Sequence, residues 1–148
     1  MLKGLDPLLS PDLLWVLAAM GHGDDLALVD ANHPAERIAQ ATVSGRIVRL
    51  PGLTMARAAR AILSVLPIDD FVADPVRRME VVGEAAAIPA VQGEVQAEID
   101  HAAGRPLTMA GLERFAFYDA AEQAFAIVQV GDARPYGCFL IRKGVIAG

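Results

Sequence analysis

Segments whose apolar residues have helical spacing alternate along the chain with short segments in which consecutive residues are all apolar. Leu13–Met20 has the spacing of a helix that buries one face, and Ser10 and Pro11 just before it are typical of a helix start. Gly21 ends this run. Leu26–Asp30 is apolar at every position except the last, as in a strand that is covered on both faces. The chain therefore opens with a predicted helix, a tight turn and a buried strand.

The same alternation continues to the end of the chain. Further strands are predicted at Arg46–Leu50, Arg78–Val82, Phe125–Val130 and Cys138–Arg142, the last returning after a turn at Gly131–Pro135. Further helices are predicted from a Thr54 cap through Leu66, at Ala90–Ala103 before Gly104, and at Glu113–Ala121, whereas Ala31–Gly45 is predicted as loop with at most one helical turn. Strands alternating with helices predict an α/β fold whose helices cover both sides of the sheet.

Composition and length narrow the class of protein. A chain of 148 residues is the usual size of one domain with a substantial core, so residues 1–148 are expected to form a single domain. Hydrophobic residues make up 54% and the mean hydropathy is +0.38, which suits a fully covered sheet or a subunit that buries surface against its own copies. The apolar runs are too short to span a bilayer, and the first residues lack the pattern of a secretory signal. We therefore expect a cytoplasmic protein that does not insert into membranes.

Charge and cysteine content exclude two further classes. The net charge is −5, and no basic stripe is present to neutralise phosphates, so nucleic acid is not an expected partner. Cys138 is the single cysteine, which rules out an internal disulfide and a cysteine-based zinc site.

Two titratable residues flank the first predicted strand. His22 lies between two glycines, where backbone or ligand can approach closely, and an imidazole transfers protons near neutral pH. Asp30 follows the strand, at the edge where α/β sheets usually bind ligands. The alternatives are that His22 is a turn residue without a role and that Asp30 only caps the next turn. A metal site made by these two residues and His33 is conceivable, but no metal is predicted.

Two other groups of side chains are candidates for binding. Arg114 and Tyr118 are four residues apart, so on a helix they share a face and together offer donors to sugar hydroxyls or a carboxylate. The alternative is an exposed arginine over a half-buried tyrosine. Tyr136 lies between two predicted strands, where a hairpin-like bend either aims its phenol into a cleft or simply forms a turn. We expect Phe115, Phe117 and Phe125 in the core. Asp69 and Asp70 are expected in solvent, with the alternative that one of them faces the site.

Three motif blocks, in order, resemble the RbsD/FucU family. They are Met20-Gly21-His22-Gly23-Asp24 with Asp30-Ala31, Arg114-Phe115-Ala116-Phe117-Tyr118, and Tyr136-Gly137 before CFLIRKGV. The resemblance covers nearly the whole chain and is closer to the L-fucose mutarotase branch than to the D-ribose pyranase branch. It implies a three-layer α/β/α sandwich, a ring-like homo-oligomer (often a decamer) with sites near subunit contacts, and interconversion of the anomers of a reducing sugar.

The resemblance also implies roles for individual residues. His22 falls on the catalytic proton donor, and Asp30, Arg114 and Tyr118 fall on sugar-binding positions. Tyr136, Gly137 and Cys138 fall on the Tyr-Gly-Asn segment, where Cys138 departs from the pattern because a thiol replaces an amide. Tyr136 is the residue we would expect a neighbouring subunit to contribute.

The resulting hypothesis is a cofactor-free monosaccharide mutarotase. His22 would act as acid and base, and Tyr118, Tyr136 or a water would be the complementary group. Two rivals remain at this point. One is a non-catalytic sugar-binding or transport-accessory protein, and the other is a subunit whose pocket is vestigial, which the Cys138 departure supports.

Overall fold

A computed structural model describes all 148 residues and contains five helices and six strands. The helices are α1 Pro11–Ala19, α2 Ala35–Ala39, α3 Met55–Leu63, α4 Ala90–Ala103 and α5 Arg114–Glu122. The strands are β1 Asp25–Val29, β2 Ile47–Leu50, β3 Val76–Met79, β4 Ala110–Leu112, β5 Ala126–Val130 and β6 Phe139–Arg142. No helix is both long enough and apolar enough to cross a membrane.

The six strands form one mixed sheet in the order β2-β5-β1-β6-β3-β4. β1 and β2 both run parallel to β5, and β3 runs parallel to β4. β6 is antiparallel to both of its neighbours, β1 and β3, so that Leu28 lies between Val128 on β5 and Phe139 on β6. The two central strands are therefore β1 and β6, and Asp30 lies directly beyond the carboxyl end of β1.

Helices cover both faces of this sheet, which confirms the predicted α/β sandwich. Side chains alternate across β1: Leu26 and Leu28 join a core cluster with α1, α3 and α4, while Ala27 and Val29 join a second cluster with α2 and α5. The solid apolar run in the sequence is explained by this burial on two sides.

Most helix ends follow their local signals. The Ser10 side chain accepts a hydrogen bond from the Leu13 N–H at 3.3 Å, and Thr54 accepts one from the Arg57 N–H at 3.3 Å. Gly104 ends α4 with a φ of 69°, a conformation that favours glycine.

Two predictions of secondary structure need correction. β3 lies at Val76–Met79 instead of Arg78–Val82, because β6 offers partners only as far as Met79 and a turn around Gly83 begins soon afterwards. α3 ends at Leu63 and not at Leu66. The segment Ala31–Gly45 contains the short helix α2, in agreement with the loop and helical turn predicted there. The short strand β4 has no counterpart among the predicted elements.

The pairing of the last strand also differs from the prediction. The strand predicted at Cys138–Arg142 exists as β6, but it does not form a hairpin with β5. It lies on the far side of β1 and pairs with β1 and β3. The connection around Tyr136 therefore crosses the carboxyl end of β1 and comes directly over Asp30.

Candidate functional site

A cavity of about 220 Å³ opens at the carboxyl ends of β1 and β3, where β6 begins and α5 starts. Its lining residues are Asp30, Asn32, His33, Met79, Val82, Arg114, Tyr118, Pro135, Tyr136 and Cys138. Most of the predicted binding residues are thus brought together in one chain, from segments more than 100 positions apart in sequence. His22 is the exception, since it does not line this cavity.

Asp30 organises the floor of the cavity. Its Oδ1 accepts hydrogen bonds from the N–H groups of Asn32 at 2.9 Å and His33 at 3.1 Å. Its Oδ2 accepts from the Gly137 N–H at 3.0 Å and lies 3.5 Å from the Cys138 sulfur. The side chain is buried, and burial raises its pKa even though these hydrogen bonds act in the opposite direction. Asp30 therefore caps the turn after β1, the alternative kept open above, and also borders the cavity.

Cys138 and His33 are in contact beside this carboxylate. The Cys138 sulfur lies 3.7 Å from Nδ1 of His33. Burial, then the neighbouring charge of Asp30, raises the pKa of Cys138 well above its ordinary value, so the sulfur stays a neutral thiol. Burial also lowers the pKa of His33 to about 4, and its Nε2 is buried without a hydrogen-bond partner. The position expected to hold an amide thus has a thiol packed against a neutral imidazole.

Arg114 and Tyr118 share a face of α5, as their spacing predicts. Nε of Arg114 donates to the Tyr118 hydroxyl at 3.2 Å. The helix starts here because the Glu113 side chain accepts from the Phe115 and Ala116 N–H groups at 2.9 and 3.1 Å. Arg114 is exposed and Tyr118 half-buried, and both border the cavity. Phe115 is 63% exposed, so the prediction that it lies in the core is wrong.

Tyr136 lines the cavity of its own chain. It is the only non-glycine residue with a positive φ, at 65°, and its hydroxyl accepts from the Val82 N–H at 3.3 Å. Gly137 next to it has no room for a side chain without displacement, since a Cβ there would lie 3.3 Å from the Asp30 Cβ and from Val91. The close approach of this segment to Asp30 therefore favours glycine at 137, because a side chain would displace these neighbours by a few tenths of an ångström.

His22 lies at the other end of β1, roughly 15 Å of strand away from the cavity. Its Nε2 is 3.1 Å from Oδ1 of Asp69, and its ring packs against Phe71 at a centroid distance of 5.0 Å. The imidazole is 45% exposed, whereas the Asp69 side chain is only 2% exposed. The expectation that Asp69 is solvated is therefore wrong, because its side chain is buried and bonded to His22.

Sequence reasoning missed His33 as a cavity residue and Asp69 as the partner of His22. The one signal for His33 is its position three residues after Asp30, in the loop that follows the strand. Asp69 is 47 residues from His22 and gives no local signal. No set of three histidine, cysteine or acidic side chains is arranged to hold a metal ion, and the three side chains considered for one lie at opposite ends of β1.

Fold and cavity together define a three-layer α/β/α protein with a small polar pocket at the carboxyl edge of a central strand. Comparison with known proteins agrees with this description. Residues 3–146 match the model of the RbsD / FucU transport protein family. The chain belongs to the RbsD/FucU family.

Relatives and solved structures cover almost the whole chain. The chain is 40% identical to the fucose mutarotase of Homo sapiens over 149 residues, which is 99% of this chain and 95% of the relative. A structure described as a candidate sugar binding protein is 48% identical, with a TM-score of 0.96 and coverage of 99% and 97%. The fucose mutarotase of Streptococcus pneumoniae, solved in complex with L-fucose, is 32% identical, with a TM-score of 0.87 and coverage of 99% and 100%.

Proposed function

We propose that this protein is a mutarotase that interconverts the anomers of a reducing monosaccharide, L-fucose or a similar sugar. The observation that carries the proposal is the cavity, which gathers Asp30, Arg114, Tyr118 and Tyr136 in a pocket of about 220 Å³. Hydroxyl, guanidinium and carboxylate groups are the partners that a neutral polyol needs. The mutarotase relatives support the same reaction.

Anomer exchange needs a proton removed from the anomeric hydroxyl and a proton delivered to the ring oxygen. The sugar ring opens to the aldehyde, and closure on the other face reverses both transfers. We assign the first transfer to His22, since an imidazole both accepts and donates protons near neutral pH. Tyr118, Tyr136 or a water supplies the second. Arg114 and Asp30 then hold hydroxyl groups away from the reacting carbon.

The position of His22 requires a second copy of the chain in this mechanism. His22 does not reach the cavity of its own chain, and it is nearly half exposed at the opposite end of β1. We propose a homo-oligomer in which His22 of one subunit borders the cavity of the next. Tyr136 does not have to come from a second subunit, because it already lines the cavity of its own chain. The borrowed residue is thus His22 in place of the Tyr136 expected from sequence.

A non-catalytic sugar-binding protein is the second candidate. The observation that favours it is the same separation, since a single chain has a sugar-sized polar cavity without His22. Such a protein would bind sugar saturably and leave the rate of anomer exchange unchanged.

Exchange NMR on anomeric protons separates these two functions. L-fucose, D-ribose, L-rhamnose and D-galactose are measured with and without protein, and His22→Ala is measured beside the wild type. Faster exchange for one sugar, abolished in His22→Ala, is the expected result. Line broadening without faster exchange would establish the binding protein, and wild-type exchange in His22→Ala would remove His22 from the mechanism.

A further inference from the structure

His22 and Asp69 form a pair with opposite exposures at the amino end of β1. Nε2 of His22 lies 3.1 Å from Oδ1 of Asp69. The imidazole is 45% exposed, while the Asp69 side chain is 2% exposed. An accessible imidazole is thus fixed on one nitrogen by a carboxylate that is withdrawn from water, and its other nitrogen, Nδ1, makes no hydrogen bond within the chain.

Asp69 is held in place independently of His22. Its Oδ1 also accepts a hydrogen bond from the Phe71 N–H at 3.1 Å, and its own N–H donates to the Arg142 carbonyl oxygen at 3.0 Å. Burial raises the pKa of Asp69, but the hydrogen bonds from Phe71 and His22 outweigh burial, so the pKa lies below its ordinary value. Asp69 is therefore an ionised, preplaced acceptor at neutral pH.

An ionised carboxylate has no proton to give, so the hydrogen between the two side chains must belong to Nε2 of His22. A neutral imidazole carries only one ring proton. With that proton on Nε2, the lone pair is left on Nδ1. The geometry of the pair thus determines which nitrogen is free to act as a base.

Other charged groups near the turn are engaged elsewhere. The Asp24 carboxylate accepts from the Gly21 N–H at 2.7 Å. The Lys143 ammonium donates to two backbone carbonyl oxygens at the end of α1, at 2.8 and 2.6 Å. Arg142 is paired with Asp25 at 2.9 Å. Asp69 is therefore the charged group that is hydrogen-bonded to the imidazole.

We propose that His22 exchanges protons with the sugar through Nδ1, and that Asp69 is the positioning residue that holds the imidazole in its Nε2–H tautomer. This inference rests on the function proposed above and deepens it. In the opening step, the anomeric hydroxyl gives its proton to Nδ1, and the O–H electron pair forms the carbonyl bond. The bond between C1 and the ring oxygen breaks, and the ring oxygen takes a proton from Tyr118, Tyr136 or water. The imidazolium formed is stabilised by Asp69, and ring closure reverses each transfer.

The tautomer is measured first, on the wild-type protein with ¹⁵N-labelled histidine. The ¹⁵N chemical shifts of neutral His22 distinguish a protonated ring nitrogen from an unprotonated one. We expect a protonated Nε2 and an unprotonated Nδ1. A neutral His22 protonated on Nδ1 would overturn the inference without any variant being made.

Asp69→Asn then tests the effect on proton transfer. The Phe71 N–H also donates to Oδ1, so it keeps the amide oxygen of the introduced side chain at that position, and Nε2 then faces a neutral acceptor in place of a carboxylate. The imidazolium loses its counter-charge, so we expect kcat for anomer exchange to fall by at least about a hundredfold, while KM changes by less than about threefold. Asp70→Asn is the matched control, because Asp70 is the exposed neighbour in the same loop. It should keep the wild-type tautomer and rate.

The outcomes separate this inference from the proposed function. A folded Asp69→Asn variant with wild-type kcat, or one whose rise in KM accounts for the whole loss, would overturn the positioning role. Absence of sugar exchange in the wild type would refute the mutarotase, and with it the proton transfer at Nδ1, while the ¹⁵N shifts would still report whether Asp69 selects the tautomer.

Discussion

The side-chain amide of Gln92 donates a hydrogen bond to the carbonyl oxygen of Tyr136 across 3.0 Å, from a fully buried position on α4. The same nitrogen donates to the carbonyl oxygen of Met79 at 2.7 Å. Gln92 thereby joins the end of β3 to the segment that precedes β6. Tyr136 is held with a φ of 65°, a conformation that costs a non-glycine residue about 1–3 kcal/mol. The cavity wall at Tyr136 thus has a strained backbone, which the buried Gln92 side chain stabilises.

Replacing Gln92 with leucine should destabilise the protein. Leucine leaves the carbonyl oxygens of Met79 and Tyr136 without the buried donor, at a cost of about 1–3 kcal/mol in the free energy of unfolding. Urea unfolding measures this difference. Gln40→Leu, at an exposed position, is the control and should change stability by less than about 0.5 kcal/mol. Equal stability of the two variants would show that the Gln92 amide does not support the wall.

Tyr136→Asn should separate stability from activity. Asparagine tolerates a positive φ better than tyrosine, so we expect the free energy of unfolding to be unchanged or higher by up to about 1 kcal/mol. Loss of the phenol should slow anomer exchange on the order of tenfold. Tyr136→Phe, which keeps the ring and the strained backbone, is the control for the hydroxyl alone. A Tyr136→Asn variant as active as the wild type would exclude the side chain from the site.

His33 should make stability depend on pH between about 4 and 6.5. Its pKa is lowered to about 4 in the folded protein, from an ordinary 6.5, first by burial and then by the charge of Arg37. As the pH falls through this window the unfolded chain takes up a proton that the folded chain does not. The stability present above pH 6.5 is therefore lost, by about 3 kcal/mol in all.

His33→Phe tests this linkage in urea unfolding at about pH 7 and about pH 4.5. The variant should lose much less stability between the two conditions than the wild type. His101→Gln, at an exposed position on α4, should behave as the wild type. If His33→Phe shows the same loss as the wild type, the imidazole is not neutral in the folded protein.

Arg114→Ala should weaken sugar binding more than it slows the reaction. Arg114 donates to Tyr118 at the edge of the cavity, and its proposed role is to hold hydroxyl groups. We expect KM to rise on the order of tenfold and kcat to change by less than about threefold. Arg105→Ala, at an exposed position outside the cavity lining, is the control. A fall in kcat at constant KM would instead place Arg114 in proton transfer.

The elements predicted well are those whose signals are local. The Ser10 cap and Gly104 mark the ends of helices by short-range hydrogen bonds and backbone conformation, and these act within a few residues. The solid apolar run before Asp30 reflects burial on two faces, which is visible in sequence without knowing the partners. The pairing of β6 has no such local signal. Its apolar pattern fits a hairpin with β5 as well as the observed position between β1 and β3.

The candidate site was predictable in its residues more than in its arrangement. The contact between Arg114 and Tyr118 follows from helical spacing. Tyr136 borders the cavity, which agrees with the first of its two interpretations, a phenol aimed into a cleft. The distance of His22 from the cavity depends on the length of β1. The Asp69 partner depends on a contact between segments 47 residues apart, which no local pattern encodes.

In the proposed mechanism, each active site combines His22 of one subunit with the cavity of another. Complementation between inactive variants shows whether a site is shared between two subunits. His22→Ala removes the imidazole from every site, and a triple variant, Arg114→Ala with Tyr118→Phe and Tyr136→Phe, removes the guanidinium and both phenols from every cavity. The two chains are mixed in equal amounts, unfolded and refolded together, and anomer exchange is measured by NMR. Random assembly restores about a quarter of the sites if each is shared between two copies. We therefore predict recovery of about a quarter of wild-type exchange, whereas no recovery above the separate variants would contradict the shared site.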